Sequence, residues 1–123
     1  MNKLKGKIIL VVDDEELLRE VLNEFFTLEG ATVIEAGNGS DGFLMLQQNK
    51  VDIIISDLRM PNGDGLSLLQ KIKTSLNYKP HMFLYSGHAD TMSESSAQAL
   101  GANGYFIKPF SVRDLVDVLA KYK

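Results

Sequence analysis

Apolar residues along this chain fall into short runs of strand length, separated by stretches in which they recur every three or four positions. The runs are Lys7–Val12, Thr32–Ala36, Val51–Ile55, His81–Tyr85 and Gly104–Ile107. Three successive isoleucines, Ile53, Ile54 and Ile55, want burial on both faces, the habit of a central strand in a parallel sheet covered by helices on each side. Between the runs the spacing is helical. Leu17, Leu18, Val21, Leu22, Phe25 and Leu28 form the first such pattern, stopped by Gly30. Phe43, Leu44 and Leu46 follow a turn at Gly37-Asn38-Gly39, with Ser40 as the expected cap. Leu66, Leu68, Leu69, Ile72 and Leu76 carry the third helix, with Asp64 placed to cap it. The stretch from Asp90 to Leu100 is a poor helix, anchored only by Met92, Ala97 and Leu100. Ser111 caps the last helix, Asp114 takes the capping-box position, and Val112, Leu115, Val116 and Leu119 make its inner stripe. Strand and helix alternating five times predicts an α/β fold, a doubly wound five-stranded parallel sheet with five helices.

Composition narrows the class without changing that picture. At 123 residues the chain predicts one domain, residues 1–123. Hydrophobic and charged contents of 45% and 24% are ordinary for a globular protein. Cys is absent, which excludes disulfides and thiolate metal sites. No membrane-length apolar run or secretory signal is visible, so the expectation is a cytoplasmic protein with no membrane insertion. A net charge of -3 with scattered lysines gives no electrostatic footprint for direct nucleic-acid binding.

The chemistry collects at the carboxyl ends of the strands, where open α/β sheets bind ligands. The first strand delivers Asp13 and Asp14, the third Asp57, the fourth Ser86 and the fifth Lys108. Three neighbouring carboxylates repel one another, so a cation or raised pKa values must compensate. An all-oxygen donor set favours Mg²⁺, with Mn²⁺ as the alternative, over zinc. A lysine and a hydroxyl beside the cation suit a phosphoryl group. The pattern therefore points to a Mg²⁺-assisted phosphoryl site with an Asp as acceptor. Singly, Lys108 reads as a solvated surface lysine and Ser86 as a turn hydroxyl; their arrival at one edge is what shifts the reading.

Four motifs carry a family resemblance: Val11-Val12-Asp13-Asp14-Glu15, Asp57-Leu58-Arg59-Met60-Pro61 with Asp64-Gly65, Ser86-Gly87, and Gly104-Tyr105-Phe106-Ile107-Lys108-Pro109-Phe110. In this order and spacing the sequence resembles the receiver domains of bacterial response regulators, the CheY-like family, over essentially its whole length. The resemblance implies a flavodoxin-like fold with strand order 2-1-3-4-5. It implies that Asp57 accepts a phosphoryl group from a sensor histidine kinase or phosphotransfer protein, and that Asp14, Asp57 and the backbone carbonyl of Arg59 bind Mg²⁺ with Asp13 assisting. Ser86 is then the switch hydroxyl, Lys108 the partner of a phosphate oxygen, Tyr105 the aromatic switch, and the Lys108–Pro109 bond cis. Met60, Pro61, Gly87, His88 and Pro109 flank the site. Gly87 leaves room for the phosphate, and Arg59 and His88 are expected to govern how water reaches the acyl phosphate. Such a chain is a signalling phosphoprotein that catalyses only its own aspartyl phosphorylation and dephosphorylation. Phosphorylation is expected to switch the surface of the fourth helix, fifth strand and fifth helix for a downstream target protein, with the domain a monomer or a phosphorylation-dependent dimer.

Three rivals stay in view. Gly37, Gly39 and Gly42 match a G-x-G-x-x-G dinucleotide fingerprint between a strand and a helix. It follows the second strand rather than the first, and a second mononucleotide half is lacking. A Mg²⁺-dependent aspartyl-phosphate phosphatase would carry Asp-x-Asp, whereas Arg59 stands at the second position. A pseudo-receiver that only binds partners would have no use for the intact acid pair, Asp57 and Lys108. A stand-alone regulator and a piece of a longer regulator or hybrid kinase both stay open; the expectation from Met1 and the polar Lys121-Tyr122-Lys123 tail leans slightly toward the first.

Overall fold

The computed structural model describes residues 2–60, 64–87 and 94–122. They form β1 (Ile8–Val12), α1 (Glu16–Leu28), β2 (Thr32–Ala36), α2 (Gly39–Gln48), β3 (Ile53–Asp57), α3 (Gly65–Ser75), β4 (His81–Ser86), α4 (Glu94–Ala99), β5 (Gly104–Ile107) and α5 (Val112–Leu119). The strands make one parallel sheet in the order β2-β1-β3-β4-β5. The fold class is as the strand and helix pattern predicts, and the strand order is the one the family resemblance implies.

Successive strand residues point to opposite faces, and both faces are covered. Leu10, Val12, Ile54 and Leu84 pack with Phe43 and Leu46 of α2, Leu68, Leu69 and Ile72 of α3, and Ala97 of α4. Ile9, Val11, Ile53, Ile55, Phe83 and Tyr85 pack with Leu22 and Phe26 of α1 and Leu115, Val116 and Leu119 of α5. The three isoleucines of β3 thus serve two cores, and each is fully buried.

Two helix expectations need correction. In α1 the buried residues are Leu22 and Phe26, with Leu18 half-buried; Leu17, Val21, Phe25 and Leu28 are exposed. Apolar residues occupy more than one face of this helix, so periodicity alone could not decide which stripe turns inward. The cap of α2 is Asn38, whose side chain accepts from the Asp41 amide, and Ser40 already lies inside the helix. Leu44 points outward, leaving Phe43 and Leu46 as the anchors. Elsewhere Asp64 caps α3 through the Ser67 amide and Ser111 caps α5 through the Asp114 amide. Gly30 follows the Glu29 cap of α1 with φ at 95°, as a left-handed stop requires. In α4, Ala97 is buried and Leu100, just beyond the helix, is exposed; Asp90 and Met92 lie outside the described residues.

Candidate phosphoryl and metal site

Parallel strands with one polarity bring all their carboxyl ends to one edge, and this is what assembles the site. Asp13 directly follows β1 and is completely buried; Asp14, next in the chain, is exposed. Asp57 is the last residue of β3, 8% exposed. Carboxylate oxygens of Asp13, Asp14 and Asp57 all lie within 4.8 Å of one another. Ser86 ends β4 and is buried, and Lys108 directly follows β5. The Lys108 Nζ is 3.6 Å from Asp57 Oδ2 and 3.9 Å from Glu15 Oε1. The Lys108–Pro109 bond is cis.

Hydrogen bonds fix the acids individually. Asp57 Oδ1 accepts from the Arg59 amide at 3.2 Å. Asp13 Oδ1 accepts from the Glu15 amide at 2.8 Å, and its Oδ2 from the Tyr85 hydroxyl at 2.5 Å. Arg19 of α1 donates from Nη1 to the Asp13 carbonyl at 2.6 Å and pairs with Glu35 of β2 at 3.2 Å, bracing the turn that carries the acid pair.

Burial pushes the Asp13 and Asp57 carboxyls above the ordinary carboxylate value, because a charged group in low dielectric loses hydration. Neighbouring acids add to the rise, whereas Lys108 and the backbone donors oppose it. Burial also raises the Tyr85 phenol, reinforced by Asp13, so this hydroxyl stays a donor. Such a cluster of close, partly desolvated oxygens fits a small hard cation and has no His or Cys to favour a softer one. At Gly87 an added Cβ would find nothing within 4 Å among the described residues.

Comparisons with known proteins give the family. A family model described as the response regulator receiver domain matches residues 9–120. The chain belongs to the response regulator receiver domain family. It is 32% identical over 115 residues to sporulation initiation phosphotransferase F of Bacillus subtilis (strain 168), a match covering 93% of this receiver and 91% of that protein. It is 33% identical to the probable C4-dicarboxylate response regulator DctR of Priestia megaterium, where it spans 54% of the relative's length. Among solved structures, the receiver domain of the Francisella response regulator 1452 superposes with a TM-score of 0.83 at 28% identity, covering 94% of this chain and 98% of that one. Receiver domains work in two-component signalling as phosphoproteins rather than as conventional enzymes. They bind Mg²⁺ through acidic residues and interact with histidine kinases and downstream effectors.

The receiver brings Asp13, Asp14, Asp57, Ser86 and Lys108 to one edge, with Arg59 and Met60 on the loop after Asp57 and Pro109 beside Lys108. Pro61 and His88 lie outside the described residues. Tyr105 is 7% exposed, and its hydroxyl meets that of Ser86. The dinucleotide-like glycines serve the fold instead: Gly39 and Gly42 lie within α2, and a Cβ on Gly42 would approach Val12 Cγ2 to 3.1 Å. Sequence reasoning missed Tyr85 and Arg19, and named Glu15 only as part of the acidic motif after the first strand. A phenol directly before Ser86, on a strand expected to adjoin that of Asp57, was the available signal for Tyr85.

A groove of about 660 Å³ adjoins the acids. Leu17, Leu18 and Val21 of α1 and Pro109, Phe110 and Val112 before and in α5 line it, together with Lys108. No helix among the described residues is long and apolar enough to cross a membrane.

Proposed function

We propose that this receiver accepts a phosphoryl group on Asp57 from a phosphohistidine donor and relays its state to a partner protein. The observation that carries this reading is the position of Asp57 at the carboxyl end of β3, beside two further carboxylates and 3.6 Å from Lys108. An ionised Asp57 oxygen forms the new P–O bond. The P–N bond to the donor imidazole breaks, and its electron pair leaves with the nitrogen. Lys108 holds one phosphoryl oxygen, and Ser86 turns its hydroxyl to another. Asp13, Asp14, Asp57 and the Arg59 carbonyl would hold Mg²⁺, with Mn²⁺ a substitute. When bound, the cation supplies neutralisation of negative charge on the transferring group.

The donor docks on the groove beside the acids. It is apolar where α1 and α5 face each other, and it leads to Lys108. The occupant best suited is a helix bearing the phosphohistidine, laid along Leu17 and Val21. Output runs through Ser86 and Tyr105. Recruiting the Ser86 hydroxyl to the phosphate breaks its bond with Tyr105 and biases α4, β5 and α5 toward a second arrangement. The short α4, with Ala97 as the buried residue among 95–99, suits an element that moves.

The test is intact mass after incubation with acetyl phosphate and Mg²⁺. A gain of one phosphoryl group that requires Mg²⁺ and disappears in Asp57→Ala is expected. No gain in the parent overturns the reading.

A further inference from the structure

Tyr85 is completely buried and stands next to the end of β4, in register with Asp57 on β3 and Phe106 on β5. Its side chain belongs to the core on the α1 and α5 side. An apolar residue would fill that core equally well. The tyrosine instead extends a hydroxyl to Asp13 at 2.5 Å. Asp13 follows β1, and β3 lies between β1 and β4. The bond therefore passes across the end of the strand that carries Asp57, tying together two strands that share no ladder.

This contact decides how Asp13 is presented. With the Glu15 amide on Oδ1 and the phenol on Oδ2, each oxygen of the carboxylate has one donor among the described residues. A carboxylate accepts at about four positions, so the remaining lone pairs point in fixed directions. The ring has a second role. Lys108 Nζ lies 5.2 Å from its centroid, within cation–π reach. Phe110, beyond the cis bond, packs on it with centroids 5.3 Å apart. One side chain thus touches a carboxylate of the metal cluster and the lysine that faces Asp57.

We infer that Tyr85 is a positioning residue of the cation site: its hydroxyl orients Asp13 toward Mg²⁺ while its ring supports Lys108. The inference rests on the reading that Asp13, Asp14 and Asp57 hold Mg²⁺. Groups that hydrogen-bond to metal ligands change metal affinity by about 10–100-fold when removed. The Tyr85→Phe variant keeps the ring, its packing and its contact with Lys108, and deletes only the donor.

The experiment titrates Mg²⁺ alone into the full chain and follows backbone amide resonances, for the parent, Tyr85→Phe, Asp13→Asn and the double variant. The expected result is a Kd about tenfold weaker in Tyr85→Phe than in the parent, with the effect largely gone in the Asp13→Asn background. A residue that only filled space would change the melting temperature and leave Kd alone. A Tyr85→Phe Kd within twofold of the parent overturns the inference, as does an equal loss with Asp13 already replaced. A parent that binds no Mg²⁺ fails the underlying reading instead. As a check independent of any variant's folding, the Cζ resonance of ¹³C-labelled Tyr85 in the parent shifts with the same Mg²⁺ midpoint as the amides; an unmoved resonance contradicts the inference.

Discussion

The hydroxyls of Ser86 and Tyr105 hydrogen-bond to each other in the interior, on the neighbouring parallel strands β4 and β5. Ser86 also has the Gly87 carbonyl at 3.4 Å, whereas the Tyr105 hydroxyl has no second partner among the described residues. The two deletions should therefore differ. Ser86→Ala leaves a buried phenol without its partner and is expected to cost about 1–3 kcal/mol. Tyr105→Phe removes the phenol and leaves Ser86 a fallback acceptor, at a cost of about 1 kcal/mol or less. Urea unfolding of the two variants reads the difference, and equal losses would contradict it.

Asp57 must be ionised to attack phosphorus, and burial raises its carboxyl while Lys108 opposes the rise. In the metal-free protein the Asp57 carboxyl should thus titrate above the ordinary carboxylate range, and in Lys108→Met higher still, because the opposing charge is gone. The ¹³C carboxyl resonance of Asp57 followed against pH without Mg²⁺ reads both, and an Asp57 titration unmoved by Lys108→Met would refute this.

The same burial gives a stability signature. A carboxyl raised in the folded state binds protons more tightly there than in the unfolded chain. Ionising Asp13 and Asp57 therefore costs stability as pH rises from their ordinary 3.8 through their raised folded values, and the loss is complete above them. At neutral pH without metal, Asp57→Asn should stabilise the protein by about 1 kcal/mol, roughly 4 °C in Tm. That gain should vanish in acid. Mg²⁺ should raise the parent's Tm at neutral pH and lose its effect as protons compete for the carboxylates. Differential scanning calorimetry across pH, with and without Mg²⁺, measures all three.

Leu17 is 76% exposed and Val21 42%, beside the groove that leads to Lys108. Replacing both with Ser should slow transfer from a phosphohistidine donor about tenfold more than transfer from acetyl phosphate, which needs no docking surface. Equal effects on the two donors would remove the groove from the account.

Gly65 starts α3 directly behind the site, where a Cβ would lie 2.6 Å from the Asp57 carbonyl oxygen and 2.8 Å from Leu84 Cδ2. Gly65→Ala should destabilise by about 1–3 kcal/mol and slow phosphorylation by displacing the Asp57 backbone. A variant with the parent's Tm would contradict that packing.

Much of this is legible in the sequence because the relevant signals are local. Runs such as Ile53-Ile54-Ile55 state burial on both faces, and a strand ending in an acid fixes where that acid emerges. Asp13, Asp57, Ser86 and Lys108 can be brought to one edge by counting strand ends. The inward stripe of α1 cannot be read, because Leu17, Val21 and Phe25 match the helical period as well as Leu18, Leu22 and Phe26 do. Only packing against α5 and the sheet decides between them. Tyr85 escapes a sequence reading for a related reason: within a buried strand an aromatic reads as core, and its hydroxyl reaches an acid 72 positions away. Asn38 does not stand out as a cap because Ser40 also has capping chemistry and stands nearer the apolar residues of α2.

Reductive trapping tests the central claim most directly. Borohydride converts an aspartyl phosphate to homoserine, and peptide mass spectrometry then locates the residue. After treatment with acetyl phosphate and Mg²⁺, the account expects homoserine at position 57 and at no other acid of the cluster. Homoserine at Asp13 or Asp14, or none anywhere in a protein that binds Mg²⁺, would contradict Asp57 as the phosphoryl acceptor.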